Sequence, residues 1–311
     1  MKYRFSPGLN RFVSEIGFGA WQLGSRGTWG TMSRDEAISL VKTAYSEGIN
    51  FFDTAPGYGD GNSESLLGEA LQGIREKVIV NTKVGHGPDG AWEFTPDGIR
   101  KSVERSLGRL RTPYLDCVLL HNPAPHLLQG DNPLFGELRS LREEGKIRLF
   151  GVSIDTADEL RLALDHPAGI RAVEILFNMI HQEPRALFDE CRERGIFLVT
   201  KVPLDSGWLT GKYDEKSVFS GIRSRWTPEQ IATRSAIVVR LKAIVGSEDL
   251  VLPALRYILS FPAVTSVIPG MKDSFQLMKN ASASQAVLDA SVVERINAYY
   301  DQELKGRVIP W

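Results

Sequence analysis

Between residues 16 and 268 short apolar runs alternate with longer amphipathic stretches eight times, and this alternation constrains the fold more than any other feature of the chain. The runs cover residues 16–21, 50–55, 78–84, 115–121, 148–153, 172–178, 196–203 and 264–268. They are apolar at odd and even positions alike, as strands of a parallel sheet covered on both faces must be. The stretches between them carry helix signals. Ser33 with Glu36 forms a capping box, and Gly48 stops that helix. A second helix starts at Asn62 or Ser63 and runs to Leu71. Thr95-Pro96 opens a third, with Ile99, Val103, Leu107 and Leu110 on one face. Residues 134–144, 156–165 and 185–194 follow, with Gly145 and Gly195 as stops for the first and last. A polar loop at 204–232 precedes helical stretches near 233–245 and 248–260, and two more follow the last strand, near 273–281 and 286–303. Residues 1–14 read as a hairpin turning at Pro7-Gly8.

A right-handed crossover repeated eight times closes on itself as a (β/α)8 barrel, here with an N-terminal β-hairpin cap and extra C-terminal helices. The rival is a doubly wound open sheet, which would call for G-x-G-x-x-G after its first strand. Gly17-Phe18-Gly19 is followed instead by Ala20-Trp21-Gln22. With no linker or repeat in 311 residues, 1–311 is expected to form a single domain. A net charge of −1 offers no field for nucleic acid or an anionic membrane, so neither is expected as a partner. Two isolated cysteines point to a reducing compartment. No run reaches the ~18 apolar residues of a membrane span. The expected location is the cytoplasm.

In a barrel, chemistry gathers where the C-terminal strand ends meet. Asp53, Lys83, His121, Ser153, Glu174 and Lys201 stand at or near those ends, and Tyr58 follows Asp53 in a Pro/Gly loop. Buried charges must be paired, and Asp53 and Lys83 lie on adjacent strands. With Tyr58 folded over that pair, the Lys83 ammonium would favour the phenolate and lower the tyrosine pKa. Tyr58 then becomes the acid, Asp53 holds Lys83 charged, and His121 adds a hydrogen bond to an oxygen gaining charge. This set suits protonation of a carbonyl oxygen. It holds no electron source, so a cofactor must bring the hydride.

The residues that carry this reading also carry a family resemblance. Asp53-Thr54-Ala55-x-x-Tyr58-Gly59, followed by Ser63-Glu64-x-x-Leu67-Gly68, resembles the signature of the aldo-keto reductases. Thr82-Lys83 and Leu120-His121-Asn122-Pro123 match the lysine and histidine motifs. Gly151-Val152-Ser153, the segment from Pro203-Leu204 to Gly211-Lys212, and Ile268-Pro269-Gly270 are similar to later landmarks. The resemblance covers residues 3–282. It implies a catalytic set of Asp53, Tyr58, Lys83 and His121. It also implies reversible reduction of an aldehyde or ketone by NADPH, in preference to NADH, with a small carbonyl or hydroxyl compound as substrate. It puts Ser153, Glu174, Leu204, Ser206, Gly207 and Leu209 near the nicotinamide and pyrophosphate. Ile268, Gly270, Lys272, Gln276 and Asn280 fall near the adenosine, with Lys272 for the 2′-phosphate.

Three positions depart from the family pattern: Ile154 for an asparagine, Glu174 for a glutamine, and Lys201 for a stacked aromatic ring. Lys201 is expected to pair with Glu174 and so rebuild the nicotinamide seat. Trp21, Trp29, Trp92, Trp208 and Trp226 are candidates for pocket walls. Arg223 and Arg225 could cover the cofactor phosphates or grip an acidic substrate. The alternative on the same fold is a non-catalytic nicotinamide-nucleotide-binding module. A metal-dependent barrel hydrolase would need a His/Asp ligand cluster, and no His-x-His is present, so no metal is expected.

Overall fold

A computed structural model describes residues 1–24, 32–86 and 91–309; Trp29 and the last two residues of the tail fall outside that set. A hairpin of β1 (Tyr3–Ser6) and β2 (Arg11–Ser14) precedes eight parallel strands. These are β3 (Phe18–Gly19), β4 (Phe51–Asp53), β5 (Ile79–Val84), β6 (Leu115–His121), β7 (Ile147–Ile154), β8 (Ala172–Leu176), β9 (Phe197–Lys201) and β10 (Val264–Val267). They lie in sequence order, each beside the next. Parallel bridges Ile16↔Val267 and Gly19↔Gly270 join the first strand region to the last and close the ring. This is the (β/α)8 architecture with its hairpin cap.

Two apolar clusters result. Phe51, Ile79, Cys117, Leu119, Leu149, Phe197 and Val199 fill the barrel interior, and Leu9 and Val13 of the hairpin join the same cluster. The larger cluster lies between sheet and helices. The hairpin is fastened by Arg4, whose Nη1 donates to the carbonyls of Phe261 at 2.8 Å and Val264 at 2.6 Å. At the start of β6 the buried Asp116 accepts from Val80 N and faces Arg75 at 2.8 Å, Arg148 at 3.3 Å and Arg11 at 3.5 Å. These ties hold the end of the barrel away from the strand mouths. Among the described residues no helix is long and apolar enough to cross a membrane.

The elements differ from the sequence reading mostly at their ends. The first strand is only Phe18–Gly19, because Ala20 N turns to Asp53 O and residues Trp21–Gly24 form a helical turn. The expected polar loop at 204–232 holds 3-10 turns, and its helix already starts at Pro228. Thr227 caps it in a box with Gln230. The expected helix at 185–194 is split into a 3-10 turn, Glu183–Leu187, and a short helix, Phe188–Glu193. Phe51 and Phe197 meet edge to face inside the barrel, with centroids 5.4 Å apart, and both are buried. Phe51→Ala is therefore expected to cost about 3–5 kcal/mol of stability, read from the urea midpoint at unchanged m-value.

Candidate active site

A cavity of about 1290 Å3 opens at the C-terminal ends of the strands and extends from Trp21 and Tyr58 to Asn280. At one end the buried Lys83 ammonium donates to Asp53 Oδ1 at 2.7 Å and Oδ2 at 2.8 Å, and to Thr54 O at 3.1 Å. Glu174 Oε2, from the far side of the barrel, lies 3.3 Å away. Asn81 Nδ2 bridges the two carboxylates, 2.6 Å from Asp53 and 3.4 Å from Glu174. The Tyr58 ring covers this group, its centroid 5.3 Å from Lys83 Nζ. His121 meets Tyr58 edge to face at 6.3 Å. Asp53, Tyr58, Lys83 and His121 thus come together as the sequence implies.

The loop that carries Tyr58 is pinned where it enters the helix Asn62–Ala70. Ser63 Oγ donates to Ala20 O at 2.8 Å and lies 2.9 Å from Thr54 Oγ1. Buried Glu64 accepts from Thr82 Oγ1 and from Arg109 Nε, both at 2.6 Å. The signature residues Ser63 and Glu64 therefore fix the phenol through its loop.

Burial decides the electrostatics. It pushes Asp53 up to about 8, with the Glu174 charge adding to it and Lys83 opposing. Burial also pushes Glu174 up, but Lys83 and Lys201 more than offset it and hold this carboxyl below its usual value. Burial alone would lower Lys83, and the charges of Asp53 and Glu174 reverse that, so the ammonium sits above its ordinary value. Tyr58 corrects the sequence expectation. Its pKa is raised, because desolvation of the phenolate outweighs the attraction of Lys83. His121 is held well below its ordinary value by burial, then by Lys83 and Lys201, so its imidazole is neutral at pH 7.

Lys201 corrects the second expectation. Glu174 is level with Val199 in the sheet, and Lys201 is level with Leu176, so Lys201 stands nearer the rim. Its ammonium pairs with Asp155 at 2.8 Å and donates to Asn122 Oδ1 at 2.9 Å and Ser153 Oγ at 3.0 Å. Ser153 in turn donates to Glu174 Oε1 at 3.0 Å. Lys201 and Glu174 are therefore joined through a hydroxyl and form no direct pair.

The remaining expected residues divide. Leu204, Ser206, Gly207, Ile268, Gly270, Lys272, Gln276 and Asn280 line the far half of the cavity, whereas Ser153 and Leu209 are fully buried behind its surface. Arg223 and Arg225 hold the loop after β9, by Nε to Ser206 O at 2.8 Å and Nη2 to Ser206 Oγ at 3.2 Å. Trp21 and Trp92 line the cavity, while Trp208 and Trp226 pack below the loop.

The model of the aldo/keto reductase family matches residues 15–301. The chain belongs to the aldo/keto reductase family. It is 31% identical over 284 residues to the L-galactose dehydrogenase of Arabidopsis thaliana, covering 87% of this chain and 84% of that one. Identity to the NADH-specific methylglyoxal reductase of Escherichia coli is 28% over 297 residues, 87% and 90% of the two chains. An aldo-keto reductase from Bacillus halodurans, solved in its holo form, superposes with a TM-score of 0.82 at 25% identity over the full length of both. This aldo-keto reductase is accordingly an oxidoreductase of carbonyl and alcohol groups that works with a nicotinamide cofactor and small substrates.

Asn81, Asp155 and His86 are parts of the site that the sequence did not single out. Asn81 sits inside an apolar run, where strand parity could have marked it as facing Asp53. A raised Asp53 binds its proton in the folded chain but not in the unfolded one between an ordinary aspartate value near 4 and about 8. Its contribution to stability is therefore present at low pH and lost as pH rises through that window. Asp53→Asn should flatten the fall in urea midpoint between about pH 5 and about pH 8 relative to wild type.

Proposed function

We propose that this enzyme reduces an aldehyde or ketone to the alcohol, reversibly, with NADPH as hydride source and Tyr58 as proton donor. The observation that carries this reading is a half-buried phenol lying over a lysine ammonium held between two carboxyl groups, with a neutral imidazole beside it. The raised Tyr58 pKa keeps the phenol protonated at neutral pH. As charge develops on the substrate oxygen, Tyr58 gives up its proton, and Lys83 stabilises the phenolate left behind. The Glu174 carboxylate keeps Lys83 charged, and Asp53 and Glu174 together hold it in place. His121 donates to the same substrate oxygen.

The far half of the cavity fits a dinucleotide. Asp205, Ser206 and Gly207 have φ of 44°, 55° and 102°, a run of left-handed backbone closed by Asp205 N to Val202 O and Gly207 N to Leu204 O, which turns Ser206 and Gly207 onto the cavity wall. Buried Asp205 is anchored to Arg234 at 3.3 Å. At Gly270 the end of the Gln22 side chain occupies the space a Cβ would take. Lys212, Arg223, Lys272 and Lys279 give this half cationic walls suited to phosphates. When bound, the nicotinamide supplies the hydride. Ser153, Glu174 and Lys201 form its seat in this reading, with Leu204, Ser206 and Gly207 at the pyrophosphate and Leu209 supporting their loop. Ile268, Gly270, Gln276 and Asn280 take the adenosine, and Lys272 takes the 2′-phosphate.

Tyr58→Phe should lower kcat/KM for a reactive aldehyde such as 4-nitrobenzaldehyde about 10²–10⁴-fold while NADPH still quenches protein fluorescence. Undiminished reduction by that variant would remove Tyr58 as the acid, and absence of turnover by the wild type would favour the non-catalytic module. Lys272→Ala should raise the Kd for NADPH about tenfold or more and leave that for NADH near its wild-type value. Equal losses for both cofactors would overturn the phosphate assignment, which matters because a relative is named as NADH-specific.

A further inference from the structure

Five rings stand in a row along the cavity wall at the proton-donating end. Trp21 stacks on Tyr58 at 6.0 Å, Tyr58 meets His121 at 6.3 Å, His121 meets His86 at 4.6 Å, and His86 packs on Trp92 at 3.9 Å. The proposed reaction uses Tyr58 and His121 and has no task for His86. Yet this ring is held in a defined position. A β-bridge joins the His86 and Trp92 backbones, Glu93 N donates to Gly85 O at 2.8 Å, and Phe94 packs where a Cβ on Gly85 would stand. The imidazole lines the cavity, is half-buried, and has no hydrogen bond to a described residue. Burial lowers its pKa, so it is neutral and offers one donor and one acceptor at pH 7.

We propose that His86 binds a second substrate oxygen on the carbon next to the carbonyl, so that the enzyme is built for α-hydroxy and α-oxo carbonyl compounds. This rests on the carbonyl oxygen sitting at Tyr58 and His121. From there the neighbouring imidazole is the next polar group along the wall, and with its ring centroid 4.6 Å from that of His121 it is near enough to reach an oxygen on the adjacent carbon. The charges nearby favour a neutral oxygen over a carboxylate. The two ammonium groups felt by His121, Lys83 and Lys201, are already matched by Glu174 and Asp155. The indole faces of Trp21 and Trp92 at the ends of the row offer apolar surface to the C–H groups of such a compound. A site that hydrogen-bonds a substrate oxygen discriminates against the analogue lacking it.

The test compares kcat/KM for glycolaldehyde and methylglyoxal with that for acetaldehyde and propionaldehyde, in wild type and in His86→Phe and His86→Gln. His86→Phe keeps a ring to pack on Trp92 and removes both ring nitrogens. Dividing the wild-type preference by the variant's preference cancels the intrinsic reactivity of each aldehyde. That quotient is expected to be about tenfold or more for His86→Phe and smaller for His86→Gln, which retains a donor and an acceptor. NADPH affinity, read by fluorescence, reports that each variant is folded with its cofactor half intact. A quotient near one for His86→Phe overturns the proposal while leaving the reductase reading standing. Failure of the wild type to reduce any of the four aldehydes overturns both.

Discussion

The ammonium of Lys83 is the charge on which the rest of the site depends. Isolated in a barrel mouth it would cost several kcal/mol. It survives because β4 supplies Asp53, β8 supplies Glu174 across the ring, and Asn81 braces both. The arrangement therefore ties opposite walls of the barrel together at the level where chemistry is expected. Two carboxyls around one ammonium cannot both carry full charge at ease, and their pKa values move in opposite directions. Structural support and proton handling are thus properties of the same three side chains.

The two halves of the cavity use different physics. At the proton-donating end the groups are tuned by desolvation: the phenol rises, the imidazole falls, and the ammonium is held up only by its partners. The far half relies on backbone shape. Val202, Asp205 and Ser206 hold positive φ without being glycine, a conformation that persists only where surroundings over-determine it. Arg223, Arg225 and the Asp205–Arg234 pair supply that restraint. Lys201 links the halves, since it grips Asn122 beside His121 and Ser153 beside Glu174.

Much of this was legible in the sequence. The eight-fold alternation gave the barrel, and motif spacing brought Asp53, Tyr58, Lys83 and His121 together. What resisted reading depended on register and depth. A single sequence does not say that Lys201 is level with Leu176, and two residues along a strand decide between Glu174 and Asp155 as its partner. Nor does it say how deeply a phenol is buried, and depth reversed the expected shift of Tyr58. The Thr227-Pro228 start of a helix was readable from its cap and proline, but it lay inside a stretch rich in polar residues. His86 carried no sequence signal beyond its proximity to Lys83.

The seam where β3 meets β10 also bears on how the molecule comes into being. Gly17 N donates to Val267 O at 2.8 Å across it, and beside it Ser266 Oγ donates to Ser14 O at the end of β2, a contact between groups 252 residues apart in the chain. Contacts of such separation form late, because the entropy of closing so long a loop is lost before they return anything. The cavity straddles this seam, with Gln22 on one bank and Gly270 on the other. The cavity is therefore complete only once the two ends of the chain have met at this seam. The cofactor is in a position to act on the last step of assembly, favouring the closed ring over the open one by mass action.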